Sequence, residues 1–245
     1  MNNIISSPLK LVVFDLSGTT ICDDNAVAKC LYAAAVEHGL NVSLDDFRRT
    51  IGTNKIKLYA FMIARNEGHP VTIAELESLS FPEFHERAME IFHDYSVRMV
   101  NYYRREVRPM PAAEDVFKWC HDQGMLVATD TGFHSDVSLA IEQGLRWQER
   151  GLVDLALDVE DTEGVGRPAP YMIHLAMRRL DVQSVHQVVK VGDTPSDLLS
   201  GFNAGCRFNI GVLSGANGRP VLSRYPHTHI IPSVADLPEL LSLYI

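Results

Sequence analysis

The sequence predicts an α/β protein in which a doubly wound parallel sheet carries an inserted helical segment. Two observations lead there. From residue 108 onward, short apolar runs ending at Gly, Asp or Thr alternate with stretches of helical periodicity, the pattern of strands buried on both faces by crossover helices. Between residues 22 and 107 that rhythm stops, and little there reads as a strand. At 245 residues the chain is long enough for a large core and a smaller insert.

The first strand is "LKLVVFDL" (9–16). After it, "AVAKCLYAAAVEHG", "LDDFRRTIG", "KIKLYAFMIARNEG" and "FPEFHERAMEIFHDYSVRMVNYYRR" predict a bundle of about four helices. The aromatics of the last stretch are expected to pack this bundle, and Asp23 and Asp24 to form a solvated hinge. "VRPMPAAED", with two prolines, reads as the return hinge. Further strands are expected at 124–131, 153–159, 187–193 and 208–213, and helices at 112–124, 134–145, 171–181 and 195–205. "HTHIIPSVADLPELLSLYI" predicts an edge strand and a closing helix. The expected division is a Rossmann-like core, residues 1–21 and 108–245, with a helical cap at 22–107.

A net charge of −9 argues against a nucleic-acid or anionic-membrane surface, which would demand excess Lys and Arg. It leaves room for a small anionic substrate, because one metal ion and a few local cations reverse the sign inside a pocket. The four cysteines lie far apart with no C-x-x-C pair, so neither a zinc site nor a disulfide framework is expected. "MNNIISSPLK" lacks a basic start and a long apolar run, and a cytoplasmic location is expected.

Ligands of open α/β sheets gather beyond the carboxyl ends of the strands, and polar residues fall there in this chain. Asp15 ends the first strand, Thr131 the next and Asp193 the strand "VVKVGD", while Arg167 lies in "GVGRPAP". These types suit phosphoryl transfer. A carboxylate at Asp15 can attack phosphorus and split one hard displacement into two easier ones. Asp15, Asp193 and the Ser17 carbonyl, with waters, would suit the octahedral oxygen preference of Mg²⁺. Thr131 would donate to a phosphoryl oxygen, and Arg167 would neutralise charge that develops in transfer. Backbone N–H groups of Gly18, Thr19 and Thr20 would form a nest for the remaining oxygens. Asp197, one helical turn after Asp193, would orient metal-bound water or Arg167. His134, after "TGF", could neighbour the pocket but reads first as a plain helix-start histidine.

"DLSGTT", "TDTGF", "GRPAPYM" and "VGDTPSD…GFNAGC" resemble, in order, the four motifs of the haloacid dehalogenase superfamily. The "GTT", the Arg in "GRPAP" and the "KVGDTxSDxxxGxNAG" run are similar to its phosphonatase-like branch. The resemblance implies that Asp15 is the nucleophile and Asp193 a metal ligand. It also implies that Thr131, Gly132 and Arg167 bind the phosphoryl group under a mobile cap. Most phosphatases of the superfamily carry a second Asp two residues after the nucleophile, as general acid and base, but this chain has Ser17, read as a spacer. The phosphonatase branch also lacks that acid, because its leaving group departs as a carbon fragment through an imine on a cap lysine.

"IGTNKIK" (51–57) resembles the cap segment bearing that lysine, with Gly52 and Lys55 at the branch's spacing. Such a lysine must be desolvated or lie near other cations to lose its proton. The chain departs from the branch at Leu58, Phe133 and Asn25, where the branch has His, Tyr and Cys. Three functions follow: cleavage of a small phosphonate with Lys55 as imine former, hydrolysis of a phosphate monoester without an imine, or binding of a phosphorylated ligand without turnover. The apolar, aromatic cap helices could also support a homodimer.

Overall fold

The computed structural model describes residues 8–76 and 78–245. The first seven residues, on which the expectation about a leader and the start of the core rest, lie outside the described residues. Six parallel strands form one sheet in the order β3-β2-β1-β4-β5-β6. They are β1 (Leu11–Asp15), β2 (Leu126–Asp130), β3 (Leu155–Leu157), β4 (Val188–Gly192), β5 (Phe208–Val212) and β6 (His229–Ile231). Every residue of β1, β4 and β5 is buried, as strands covered on both faces require.

Side chains along β1 alternate between two apolar clusters. Val12 and Phe14 join the one that runs into the inserted helices, and Leu11 and Val13 join the other, with Met172 and Ile173. The strands predicted at 124–131 and 153–159 are shorter than their apolar runs, because pairing begins and ends with the neighbouring strand: β3 meets β2 only from Ala128 to Asp130.

Among the described residues, four α-helices and two short 3-10 turns fill the stretch between β1 and the return to the sheet; the α-helices are α1 (Ala26–Glu37), α2 (Leu44–Arg48), α3 (Lys55–Asn66) and α4 (His85–Arg105). On α4 the buried positions Ala88, Ile91, Phe92, Tyr95, Ser96, Met99 and Tyr103 recur at three- and four-residue steps, which puts one stripe against α1 and α3. Capping decides where the short α2 starts. Ser43 accepts from the Asp46 N–H while Asp46 accepts from Ser43, and Arg65 of α3 donates twice to the same carboxylate.

The chain enters and leaves this helical segment side by side. Cys22 N–H donates to the Arg108 carbonyl, Met110 N–H to the Thr20 carbonyl, and Ile21 faces Pro109 in an antiparallel bridge. After it come α5 (Ala113–Asp122), α6 (Ser135–Leu145), α7 (Tyr171–Arg179), α8 (Pro195–Ala204), α9 (Arg219–Leu222) and α10 (Leu237–Leu241). Among the described residues no helix is long and apolar enough to cross a membrane.

Candidate active site

Register delivers the acids. Asp15 lies directly opposite Asp130 at the carboxyl ends of β1 and β2, and Gly192 ends β4 with Asp193 next. Two side chains off these ends complete the group. Arg167 donates to Asp15 at 2.6 Å, reaches Asp130 at 3.4 Å and pairs with Asp197. Lys190, fully buried within β4, donates to Asp130 at 2.5 Å and to Asp197 at 3.1 Å. Asp197 opens α8, where its second oxygen accepts from Thr194 N–H and hydroxyl.

Within the strand ends, Asp15, Asp130, Asp193 and Asp197 are faced by two buried cations among the described residues, Arg167 and Lys190, and Lys55 acts on Asp15 from the inserted helices. Carboxylate oxygens of Asp15, Asp130 and Asp197 lie within 4.8 Å of one another, an arrangement of metal-ligand type. Lys190 and Arg167 hold Asp197 and one oxygen of Asp130, while the second Asp130 oxygen is buried without a hydrogen-bond partner. Arg167 also holds one oxygen of Asp15, so among the described residues Asp193 is the acid of the group with no ion pair of its own. Burial pushes Asp15 up to about 6, with Arg167 opposing. Burial and then Asp15 push Asp193 well above the usual carboxylate range. Asp197 is held below that range, because Arg167 and Lys190 outweigh its burial. A buried acid beside Asp15 with no ion pair of its own is what a divalent ion would relieve.

Close backbone approach explains two glycines here. A Cβ on Gly215 would lie 2.0 Å from an Asp193 oxygen, and one on Gly18, whose φ is +84°, would lie 2.8 Å from the same atom. The turn after Asp15 is less open than the expected nest. Gly18 N–H donates to the Ile21 carbonyl, and those of Thr19 and Thr20 donate to Leu16, so all three are spent inside the turn. The Thr19 hydroxyl donates to Asp193 and that of Thr20 to the Asp15 carbonyl. Thr19 and Thr20 therefore shape the loop, and the oxyanion nest expected of these amides is not formed.

A cavity of about 810 Å³ opens over the strand ends. Asp15, Ser17, Gly18, Thr131, Gly132, Arg167 and Asp193 line its floor, and Lys55, Phe92 and Ile56 come from the inserted helices. Lys55 starts α3, and its ammonium donates to the Thr53 carbonyl at 2.9 Å. Burial lowers Lys55 to about 8, with Arg167 acting in the same sense and Asp15 and Asp23 opposing. The loop before it rests on the core: the Ser196 hydroxyl donates to the Gly52 carbonyl at 2.8 Å, and Gly52 has a φ of +99°.

Residues 9–205 match the haloacid dehalogenase-like hydrolase family. The chain is a haloacid dehalogenase-like hydrolase. It is 27% identical over 197 residues to phosphonoacetaldehyde hydrolase of Parabacteroides distasonis, covering 75% of this chain and 74% of that one. The enzyme of the same name from Lactiplantibacillus plantarum is 26% identical, with 85% of this chain and 77% of that one covered. A phosphonoacetaldehyde hydrolase-like protein of Oleispira antarctica shares the fold with a TM-score of 0.80 at 21% identity, covering 99% of this chain and 94% of its own.

Several residues of this hydrolase lie where the sequence did not put them. Asp23 is no solvated hinge: it lines the cavity, and burial raises its carboxyl. Ser17 is more than a spacer, since its hydroxyl donates to Asp23 at 3.0 Å. His134 also lines the cavity, pairing with Glu160 and packing its ring 4.6 Å from that of Phe92. Leu58 and Phe133 are buried packing residues, Phe133 edge-on to Tyr103. Lys190 and Asp130 were missed altogether. The signal for Lys190 was a charge in the middle of a buried strand, which survives only when paired.

Proposed function

We propose that the protein is a magnesium-dependent phosphonatase-like hydrolase working through an aspartyl-phosphate on Asp15, with Lys55 as the imine-forming amine and phosphonoacetaldehyde as the model substrate. The observation carrying this reading is that Lys55, lowered to about 8, shares one cavity with Asp15 and Arg167. Residues 22–107 act as a cap over a core formed by 1–21 and 108–245.

Neutral Lys55 would add to the substrate aldehyde and lose water to give an imine. Asp15 would then attack phosphorus, with Arg167 and Thr131 on the phosphoryl oxygens and Gly132 leaving them room. The C–P bond breaks and its electrons pass into the imine, giving an enamine that is protonated and hydrolysed to free Lys55. Such a leaving group needs no acid at position 17. Hydrolysis of the aspartyl-phosphate releases inorganic phosphate. Asp15, Asp193 and the Ser17 carbonyl would hold Mg²⁺, which supplies charge compensation for a dianionic phosphoryl group beside a carboxylate. Asp197 orients Arg167.

Borohydride added with phosphonoacetaldehyde is expected to leave a covalent adduct on Lys55, and Lys55→Arg is expected to abolish turnover. A second reading, hydrolysis of a phosphate monoester, is favoured by Leu58 and Phe133 standing where the branch has His and Tyr. Under it, Lys55→Arg keeps most turnover of p-nitrophenyl phosphate and no adduct forms.

A further inference from the structure

Position 17 shows what a serine does where most related phosphatases keep an acid. Its hydroxyl donates to Asp23 Oδ1 at 3.0 Å and lies 3.3 Å from the Tyr103 hydroxyl. Because the single Ser17 proton goes to Asp23, Tyr103 is the donor in the second bond. Asp23 lies on the way into the helical segment, and Tyr103 lies near the end of α4, on the way out. The same Asp23 oxygen accepts from Val27 N–H at 3.2 Å, where α1 begins, and the Tyr102 hydroxyl donates to the Asp23 carbonyl at 3.4 Å.

The backbone here is tightly shaped. Asp24 and Asn25 both have positive φ, 48° and 60°, so the chain turns sharply just after Asp23. Asn25 leaves α1 without a side-chain cap, and Asp23 supplies the acceptor for its first turn instead. Tyr103 is fully buried, with its ring edge-on to Phe133, the second residue after Thr131. One hydroxyl on the loop that follows Asp15 is therefore bonded to both connections of the helical segment.

We propose that Asp23 and Tyr103 are positioning residues that clasp the helical segment onto the Ser17 hydroxyl and so fix its placement over Asp15. What Asp23 contributes is a pair of accepted hydrogen bonds, from Ser17 and from Val27. This inference rests on the hydrolase reading above only for its kinetic arm.

The test compares Asp23→Asn, which keeps an acceptor oxygen, with Asp23→Ala and Tyr103→Phe, which remove a bond. With magnesium and either phosphonoacetaldehyde or p-nitrophenyl phosphate, kcat/KM of Asp23→Asn should stay within about twofold of the parent. Asp23→Ala should fall about tenfold and Tyr103→Phe about fivefold, the size of one or two lost hydrogen bonds. Amide exchange at Val27 should quicken in Asp23→Ala and not in Asp23→Asn, and this reading needs no turnover. If the parent hydrolyses neither compound, the exchange result alone judges the clasp, while the hydrolase reading fails separately. An Asp23→Asn variant as impaired as Asp23→Ala, or an Asp23→Ala variant with parental exchange at Val27, overturns the proposal.

Discussion

Lys55 is where pH should speak most clearly. Burial disfavours its ammonium form, and Arg167 adds to the effect. Only the neutral amine adds to an aldehyde, so borohydride trapping should rise about tenfold per pH unit below pH 8 and level off above it. A profile flat from about pH 6 to about pH 9 would show that the reacting amine is not Lys55. Asp15, Asp193, Thr131 and Arg167 were legible in sequence because each follows its own strand or loop in motif order. Asp130 was not, since a carboxylate beside Thr131 reads as part of the same strand end until register sets it opposite Asp15. Asp23 was misread for a related reason. It bonds to Ser17, six residues away, and through that hydroxyl is linked to Tyr103, partners that local polarity does not reveal.

Among the elements, α2 offers a compact case of stability set by charge. Asp46 closes a capping box with Ser43 and accepts two hydrogen bonds from Arg65, which hold its carboxyl down at about 2. A folded value below the unfolded one means the pair stabilises fully above the ordinary carboxylate range. That contribution fades as pH falls from about 4 through about 2. Asp46→Asn should therefore cost about 1 kcal/mol in chemical unfolding at neutral pH and almost nothing near pH 2. An equal cost at both values would assign the effect to packing. Four helices in the insert were legible from apolar periodicity, most clearly α4 with its buried stripe. The short α9 was not, because "SGANGRPVLSR" offers turn residues and a single buried apolar side chain, Leu222.

For the whole molecule, the buried charges tie the strands to the helix that follows them. Lys190 on β4 bridges Asp130 on β2 and Asp197 on α8, across the central strand β1. Lys190→Met keeps the volume but strips two buried carboxylates of a partner, and should cost about 3–5 kcal/mol by denaturant unfolding. Replacing Asp130 by Leu in the same chain should recover part of that loss, since an unpaired carboxylate is then removed. A Lys190→Met protein as stable as its parent would mean that Arg167 alone balances the cluster. The doubly wound order was readable from alternation of strand and helix. Of the charge network only Asp197 beside Arg167 was expected; the rest belongs to the spacing between strands and appears only when they pair.

The contact between Ser196 and the Gly52 carbonyl has one more implication. It joins the loop that leads into Lys55 to the stretch separating Asp193 from Asp197. Any outward swing that admits a ligand must break this bond, and it withdraws Lys55, three residues further on, in the same movement. Under the proposed function, admission and reactivity would then be mutually exclusive: an aldehyde arriving from solvent would meet no amine until the gate behind it had shut.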